Sequence, residues 1–186
     1  MSSVAIPPLT VEDYKILPET GPRYQLIEGA LHMAPAPNRY HQDISRNLEF
    51  LIFRWIKEGN APGAKVYYAP FDVYLDEHNV YQPDLVYISA KNASVLTDAG
   101  CEGAPDLVVE ILSPRTRKID LGPKKKVFAR SGVRELWIID PEPRQIAIYD
   151  LASSPDAPVA VHGETDSFSS ILMPGLVIDA AEVFEI

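Results

Sequence analysis

Apolar and polar positions alternate in two different rhythms along this chain. From Tyr40 to Glu58 the apolar residues Ile44, Leu48, Leu51, Ile52, Trp55 and Ile56 recur at helical spacing. Asn38 is placed to cap that helix and Gly59 to stop it, which makes it the longest helix expected. A shorter helix is expected from Thr10 to Leu17, with Thr10 as cap and Glu12 and Asp13 in its first turn. Elsewhere the rhythm is that of strands. "RYQLIEG" and "ALHMAP" predict a hairpin turned at Glu28-Gly29. "KVYYAPFDVYLD" and "YQPDLVYIS" are rich in aromatic and β-branched residues. "DLVVEIL" is almost continuously apolar, as expected of a central strand buried on both faces.

Between these strands the pattern predicts a loop over residues 91 to 104. "SPRTRKIDLGPKKKVFARSGV" predicts a loop and a helix stopped by Gly132. "ELWIIDP" and "QIAIYDL" predict two strands turned by "PEPR". A Pro/Ser-rich loop, a short strand near Ser167 to Leu172 and a terminal helix or turn near Asp179 complete the chain. The fold class expected is α/β: a central mixed sheet flanked by helices. A length of 186 residues suits one domain spanning 1 to 186.

Composition narrows the classes. Apolar residues make up 46% and charged residues 23%, as in soluble globular proteins. The single cysteine, Cys101, cannot form an internal disulfide, and no charged and apolar leader opens the chain. A reduced cytoplasmic protein is therefore expected. The net charge of −9 argues against broad electrostatic adhesion to DNA. The charge is unevenly spread, however. Arg115, Arg117, Lys118, Lys124, Lys125, Lys126 and Arg130 stand close together with one acid, Asp120, among them. Such a local basic face suits a phosphate-handling site. Arg115, Arg117 and Lys118, ahead of the helix, are expected to contact phosphates without reading sequence.

Alternation within "DLVVEIL" puts Asp106, Val108 and Glu110 on one face. A carboxylate inside so apolar a run is costly unless a metal ion, an arginine or a lysine pairs with it. Asp84 opens a second strand, and Asp84 and Glu110 projecting from neighbouring strands can grip one Mg²⁺, which favours oxygen ligands and keeps several waters. Asp106 lies ~13 Å from Glu110 along the same strand, too far to share an ion, and is expected to hold the strand entrance. His41, near the start of the long helix, is placed to contact substrate or a carboxylate. His32, His78 and His162 have no metal-ligand spacing. No phosphate-binding glycine loop occurs.

The run "QPDLVYIS…GAPDLVVEILSPRTRKIDLGPKKKVFARSGVRELWIIDPE" resembles the Uma-two family of restriction endonucleases, in the PD-(D/E)XK or restriction-endonuclease-like superfamily. "YQLIEGAL" is similar to its hairpin, and "NRYHQDISRNLEFLI" to its long helix with a histidine near the start. The similarity covers roughly residues 10 to 150. It implies a restriction-endonuclease-like fold and a Mg²⁺-dependent nuclease, with Mn²⁺ able to substitute, acting on DNA. It implies that the lysine of the site, absent at Leu112, comes from the following helix as Lys124 within "DLGPK". With Asp120 as helix cap, Leu121 and Phe128 form the inward stripe, and Lys124 and Lys125 flank it. Lys125 therefore competes for the role and also suits nucleic-acid contact. The resemblance further implies that Glu28 joins Asp84, Glu110 and Lys124 in the site. Pro123 and Phe128 depart from the family pattern. Duplex cleavage by such a protein is simplest as a homodimer, one site per strand. The rival reading is a non-catalytic nucleic-acid-binding or protein-interaction module that keeps the nuclease fold.

Overall fold

The structure is a computed structural model that describes residues 7–18 and 20–186. Thr10 caps helix α1 (Val11–Lys15) through a capping box with Asp13. Strands β1 (Tyr24–Ile27) and β2 (Ala30–Met33) form the expected hairpin. Its turn carries Glu28 and Gly29 at φ 49° and 76°, the left-handed pair that a two-residue hairpin turn demands. Helix α2 (Arg39–Trp55) starts at Asn38, whose Oδ1 accepts the His41 N–H at 2.8 Å. A wide turn, Ile56–Asn60, ends it, with Gly59 at φ 90°.

Four strands follow: β3 (Lys65–Tyr68), β4 (Val73–Asp76), β5 (Asn79–Tyr81) and β6 (Leu85–Ile88). Residues 91–104, expected as loop, contain part of a 3₁₀ turn (Ala90–Val95) and two short strands, β7 (Leu96–Thr97) and β8 (Gly100–Glu102). β8 pairs in parallel with β4, and that pairing, distant in sequence, left no local signal. β9 (Leu107–Ile111) is buried at every position. Helices α3 (Arg117–Ile119) and α4 (Lys125–Ser131) then lead to β10 (Glu135–Asp140) and β11 (Gln145–Asp150). Gly132, at φ 97°, ends α4 as expected. The last elements are β12 (Ala160–Gly163), β13 (Ser167–Ser169), β14 (Val177–Asp179) and α5 (Ala180–Phe184). β12 and β14 were not expected from the sequence, being short and poor in alternation.

The main sheet runs β12-β11-β10-β9-β6-β3. Only β9 and β10 are parallel in it, joined by the α3–α4 crossover, and they sit at its centre. A second sheet runs β2-β1-β5-β4-β8-β7. On one face of the main sheet, Leu107, Val109 and Ile111 pack with Ile44, Leu48 and Ile52 of α2 and Val183 and Phe184 of α5. On the other face, Val108, Leu112 and Ile138 pack with Val127 and Phe128 of α4 and with Val73, Tyr81 and Cys101 of the second sheet. Glu110 belongs by alternation to this second face, beneath the crossover helices. Among the described residues no helix is long and apolar enough to cross a membrane.

Candidate active site

β6 and β9 are antiparallel, with Leu85 opposite Val109. One step further puts Asp84 opposite Glu110, so two carboxylates leave neighbouring strand ends side by side. Asp84 Oδ2 accepts the Ile111 N–H at 2.7 Å, and His41 Nε2 lies 3.3 Å from the same oxygen. The second contact ties the start of α2 to the strand ends. Burial pulls the His41 pKa down, but its contact with Asp84 outweighs this and the net shift is upward. His41 Nδ1 is buried without a hydrogen-bond partner.

Glu110 is buried, and its Oε1 lies 2.5 Å from Lys124 Nζ. This is a close ion pair without hydrogen-bond alignment, so Oε1 has no hydrogen-bond partner. Lys124, only 2% exposed, also donates to Asp120 Oδ1 at 3.1 Å and stands 5.7 Å over the Tyr81 ring. Burial drives the Glu110 pKa well above the carboxylate range. Lys124 opposes that shift, while Asp120 and Asp84 add to it. For Lys124, burial favours the neutral amine, but Glu110 and Asp120 prevail and raise its pKa, so the ammonium keeps its charge. Glu110 and Asp120 thus share one buried ammonium, with Asp84 near enough to act on it through space. The geometry leaves Glu110 Oε1 against the ammonium without an aligned hydrogen bond.

The route of the chain explains how a lysine reaches this place. After β9 a turn is held by Ser113, whose carbonyl accepts the N–H groups of Thr116 and Arg117 at 3.2 and 2.9 Å. The Ser113 and Thr116 hydroxyls meet at 2.9 Å. The helix therefore begins at Arg117, and Asp120 is not its cap. Asp120 already has helical φ and ψ of −65° and −44°, and its side chain points inward to Lys124. The backbone kinks at Gly122 (φ −107°, ψ −105°), just before Pro123, which lacks an N–H to satisfy. Beyond the kink Lys124 turns fully inward, where a regular helix had been expected to leave it flanking the buried stripe.

The other sequence candidates lie as follows. Asp106 is at the opposite end of β9, where its Oδ2 accepts the Ser89 N–H at 2.7 Å and pins the strand entrance. Glu28 sits on the hairpin turn, 58% exposed at its side chain and 3.8 Å from Arg130, which also holds Asp76 at 3.0 Å. No hydrogen bond or ion pair joins Glu28 to Asp84, Glu110 or Lys124. Lys125 turns away, its Nζ 3.2 Å from the Asp156 carbonyl and 4.6 Å over the Tyr149 ring. Arg115 and Lys118 are exposed, while Arg117 pairs with Asp140 at 2.7 Å. Asp120 and Tyr81 are the site neighbours that sequence reasoning missed. Asp120 did have a signal: it stands four residues before Lys124, between Ile119 and Leu121, and i,i+4 pairs share a helix face.

Asp84 and Glu110 are the residues that would hold a hard divalent cation. Asp84 and Glu110 offer adjacent carboxylates, and Mg²⁺ commonly takes one or two of these, with water and phosphate for the rest. Among the described residues no cluster of three or more His, Cys, Asp or Glu is arranged to hold a metal.

A mixed sheet with flanking helices, acids at the ends of its central strands and a lysine beside them defines the restriction-endonuclease-like class of folds. Within that class the chain belongs to the Uma2 family, whose model, described as "Putative restriction endonuclease", matches residues 11–181. The fold is similar to the crystal structure of a "putative nuclease belonging to DUF820" from Anabaena variabilis ATCC 29413. That match has a TM-score of 0.77 at 22% identity and covers 95% of this chain and 98% of the other. No curated protein matches the chain significantly.

Proposed function

We propose that this protein is a Mg²⁺-dependent endonuclease that hydrolyses phosphodiester bonds in DNA, with Mn²⁺ able to substitute. The observation that carries the reading is the pairing of Asp84 with Glu110 on adjacent strands, with the buried ammonium of Lys124 against Glu110. Asp84 and Glu110 are the residues that would hold the metal, which would supply Lewis-acid activation of a water and of the phosphoryl oxygen. Asp84 is held for this task by the Ile111 N–H and by His41, a positioning residue. Lys124 keeps Glu110 in place and keeps a fixed positive charge beside the position where charge builds on the phosphate. Arg115 and Lys118 are free to meet backbone phosphates, and Arg117 can do so after leaving Asp140. Two copies, each with one site, would cut both strands, and the cytoplasm is the compartment that gives access to DNA.

Supercoiled plasmid incubated with Mg²⁺ or Mn²⁺ tests the reading. Nicked and linear products are expected from the wild type and not from Asp84→Ala or Glu110→Ala. Activity that survives both substitutions would sink it. A non-catalytic module that keeps the fold is favoured by one observation: Lys124 is fully occupied by Glu110 and Asp120. Calorimetric titration separates the two. The enzyme binds Mg²⁺ or Mn²⁺ in a way that Asp84→Ala removes, whereas the module does not.

A further inference from the structure

α2 presents a second feature that the cluster around Glu110 does not use. Phe50 and Phe53 are 55% and 43% exposed, an unusual state for phenylalanine on a helix whose opposite face fills the core. Each ring carries its own cation: Arg54 Cζ lies 5.4 Å from the Phe50 centroid, and Lys57 Nζ lies 5.1 Å from that of Phe53. At 3.6 residues per turn, Arg39, Arg46, Phe50, Phe53 and Arg54 fall within an arc of about 100°, and Lys57 follows in the wide turn. Along the helix they form one ridge ~22 Å long at 1.5 Å per residue. The acid within that arc is Asp43, buried between Arg46 at 2.9 Å and Arg39 at 4.0 Å. The ridge is thus cationic on a protein whose net charge is −9. Its N-terminal end is the end where His41 touches Asp84.

We infer that this ridge binds single-stranded DNA, with Phe50 and Phe53 stacking on bases and Arg39, Arg46, Arg54 and Lys57 meeting phosphates. Aromatic rings interleaved with cations suit a flexible polyanion with exposed π faces. A duplex hides its base faces and could use only the cations. A second copy of this chain would bring four like charges against four. The ridge lies on the face of α2 away from His41, so strand binding there stands apart from the nuclease reading.

Fluorescence anisotropy with a labelled oligothymidine, in EDTA so that nothing is cut, tests the ridge. Phe50→Ala/Phe53→Ala should weaken binding about tenfold or more per ring. Phe50→Trp/Phe53→Trp should keep or tighten it. Arg54→Ala/Lys57→Ala should flatten the salt dependence by roughly 0.7 per cation removed. All six positions are solvent-facing, so unfolding temperatures should match the wild type. Equal affinity of the Phe→Ala pair and the wild type would overturn the inference, as would no binding by the wild type. So would sedimentation of a dimer that the Phe→Ala pair dissolves, which would make the ridge a subunit interface. Tight, Phe-dependent binding without plasmid cleavage would overturn the nuclease reading and leave the ridge standing. Cleavage without Phe-dependent binding would do the reverse.

Discussion

Two glutamates are buried in the central strands of the main sheet, and their fates differ. Glu110 lies on β9 and Glu135 on the parallel neighbour β10, three positions apart in register and on opposite faces. Burial raises the pKa of both. Around Glu135 each oxygen has a donor: Trp137 Nε1 at 2.6 Å and Ser170 Oγ at 2.9 Å. Both donors are neutral, and the Ser170 bond stitches the C-terminal segment to the sheet. Around Glu110 the near neighbours are charged: one ammonium and two further carboxylates, with Oε1 lacking a hydrogen bond. Burial of an acid therefore does not mark a site. The two shells differ in kind: neutral donors fix Glu135, whereas ionisable groups surround Glu110.

Activity gives the largest separation between the two glutamates. Glu110→Gln should lower metal-dependent plasmid cleavage by roughly 10³-fold, the upper range for loss of one electrostatic group. Glu135→Gln, which keeps the side-chain shape, should leave cleavage nearly unchanged in the same assay. Comparable losses in both would erase the distinction.

Stability comes next. Lys124→Ala leaves Glu110 and Asp120 facing each other in the interior and should cost about 3–5 kcal/mol in metal-free urea unfolding. Mg²⁺ should restore part of that loss, and Asp120→Asn added to Lys124→Ala should restore part without metal. If Lys124→Ala is as stable as the wild type, the buried pair is not what holds this end of β9.

Glu135→Ala strands the Trp137 and Ser170 donors and should cost about 2–3 kcal/mol. The pH dependence has a definite sign. The folded-state pKa of Glu135 is raised above its ordinary 4.5, chiefly by burial, so its contribution is fully present below that value and is lost as pH rises through the raised one. Unfolding temperatures of wild type and Glu135→Gln should diverge across that window, with the wild type falling relative to the variant as pH rises. Parallel profiles would mean that the Glu135 proton is not linked to folding.

The smallest effect is expected at the surface. Replacing Arg115, Arg117 and Lys118 together should change stability by no more than ~1 kcal/mol, since the Arg117–Asp140 pair is solvent-exposed on one side. It should reduce the salt slope of duplex binding by ~0.9 for each phosphate left without its cation. An unchanged slope would make these three residues a solvated surface.

Much of this was legible in the chain. The apolar run of β9 announced a central strand, and alternation put Glu110 on the face opposite Leu107 and Val109. Strand rise separated Asp106 from Glu110, and the structure puts Asp106 at the far strand end. The hairpin and its caps were local and readable. What escaped was long-range or hidden in an irregular backbone. β7 and β8 exist through pairing with each other and with β4. Asp120 looked like a cap because aspartate favours that position, but the Ser113 turn had already started the helix. The kink at Gly122 then set the direction of Lys124, and periodicity assumes a regular helix. Phe50 and Phe53 interrupted the polar face of α2 in plain view, yet amphipathic reading counts apolar residues inward and passes over those pointing out.

The Ser113–Thr116 turn has one more consequence, which concerns the length of the chain. A lysine borne on β9 itself would be aimed by the pleat, whatever followed the strand. Lys124 is aimed by a count of residues. One residue inserted after Thr116 would rotate everything beyond it by ~100° and shift it by ~1.5 Å along the axis. Lys124 would swing out of register with Glu110, and Pro123 would take its place. The hydroxyl and carbonyl contacts of Ser113 thus act as a gauge that fixes where the helix starts. A substitution is something the site's neighbours can relax around. An insertion or deletion between Ile111 and Arg117 resets the angular setting of the whole crossover.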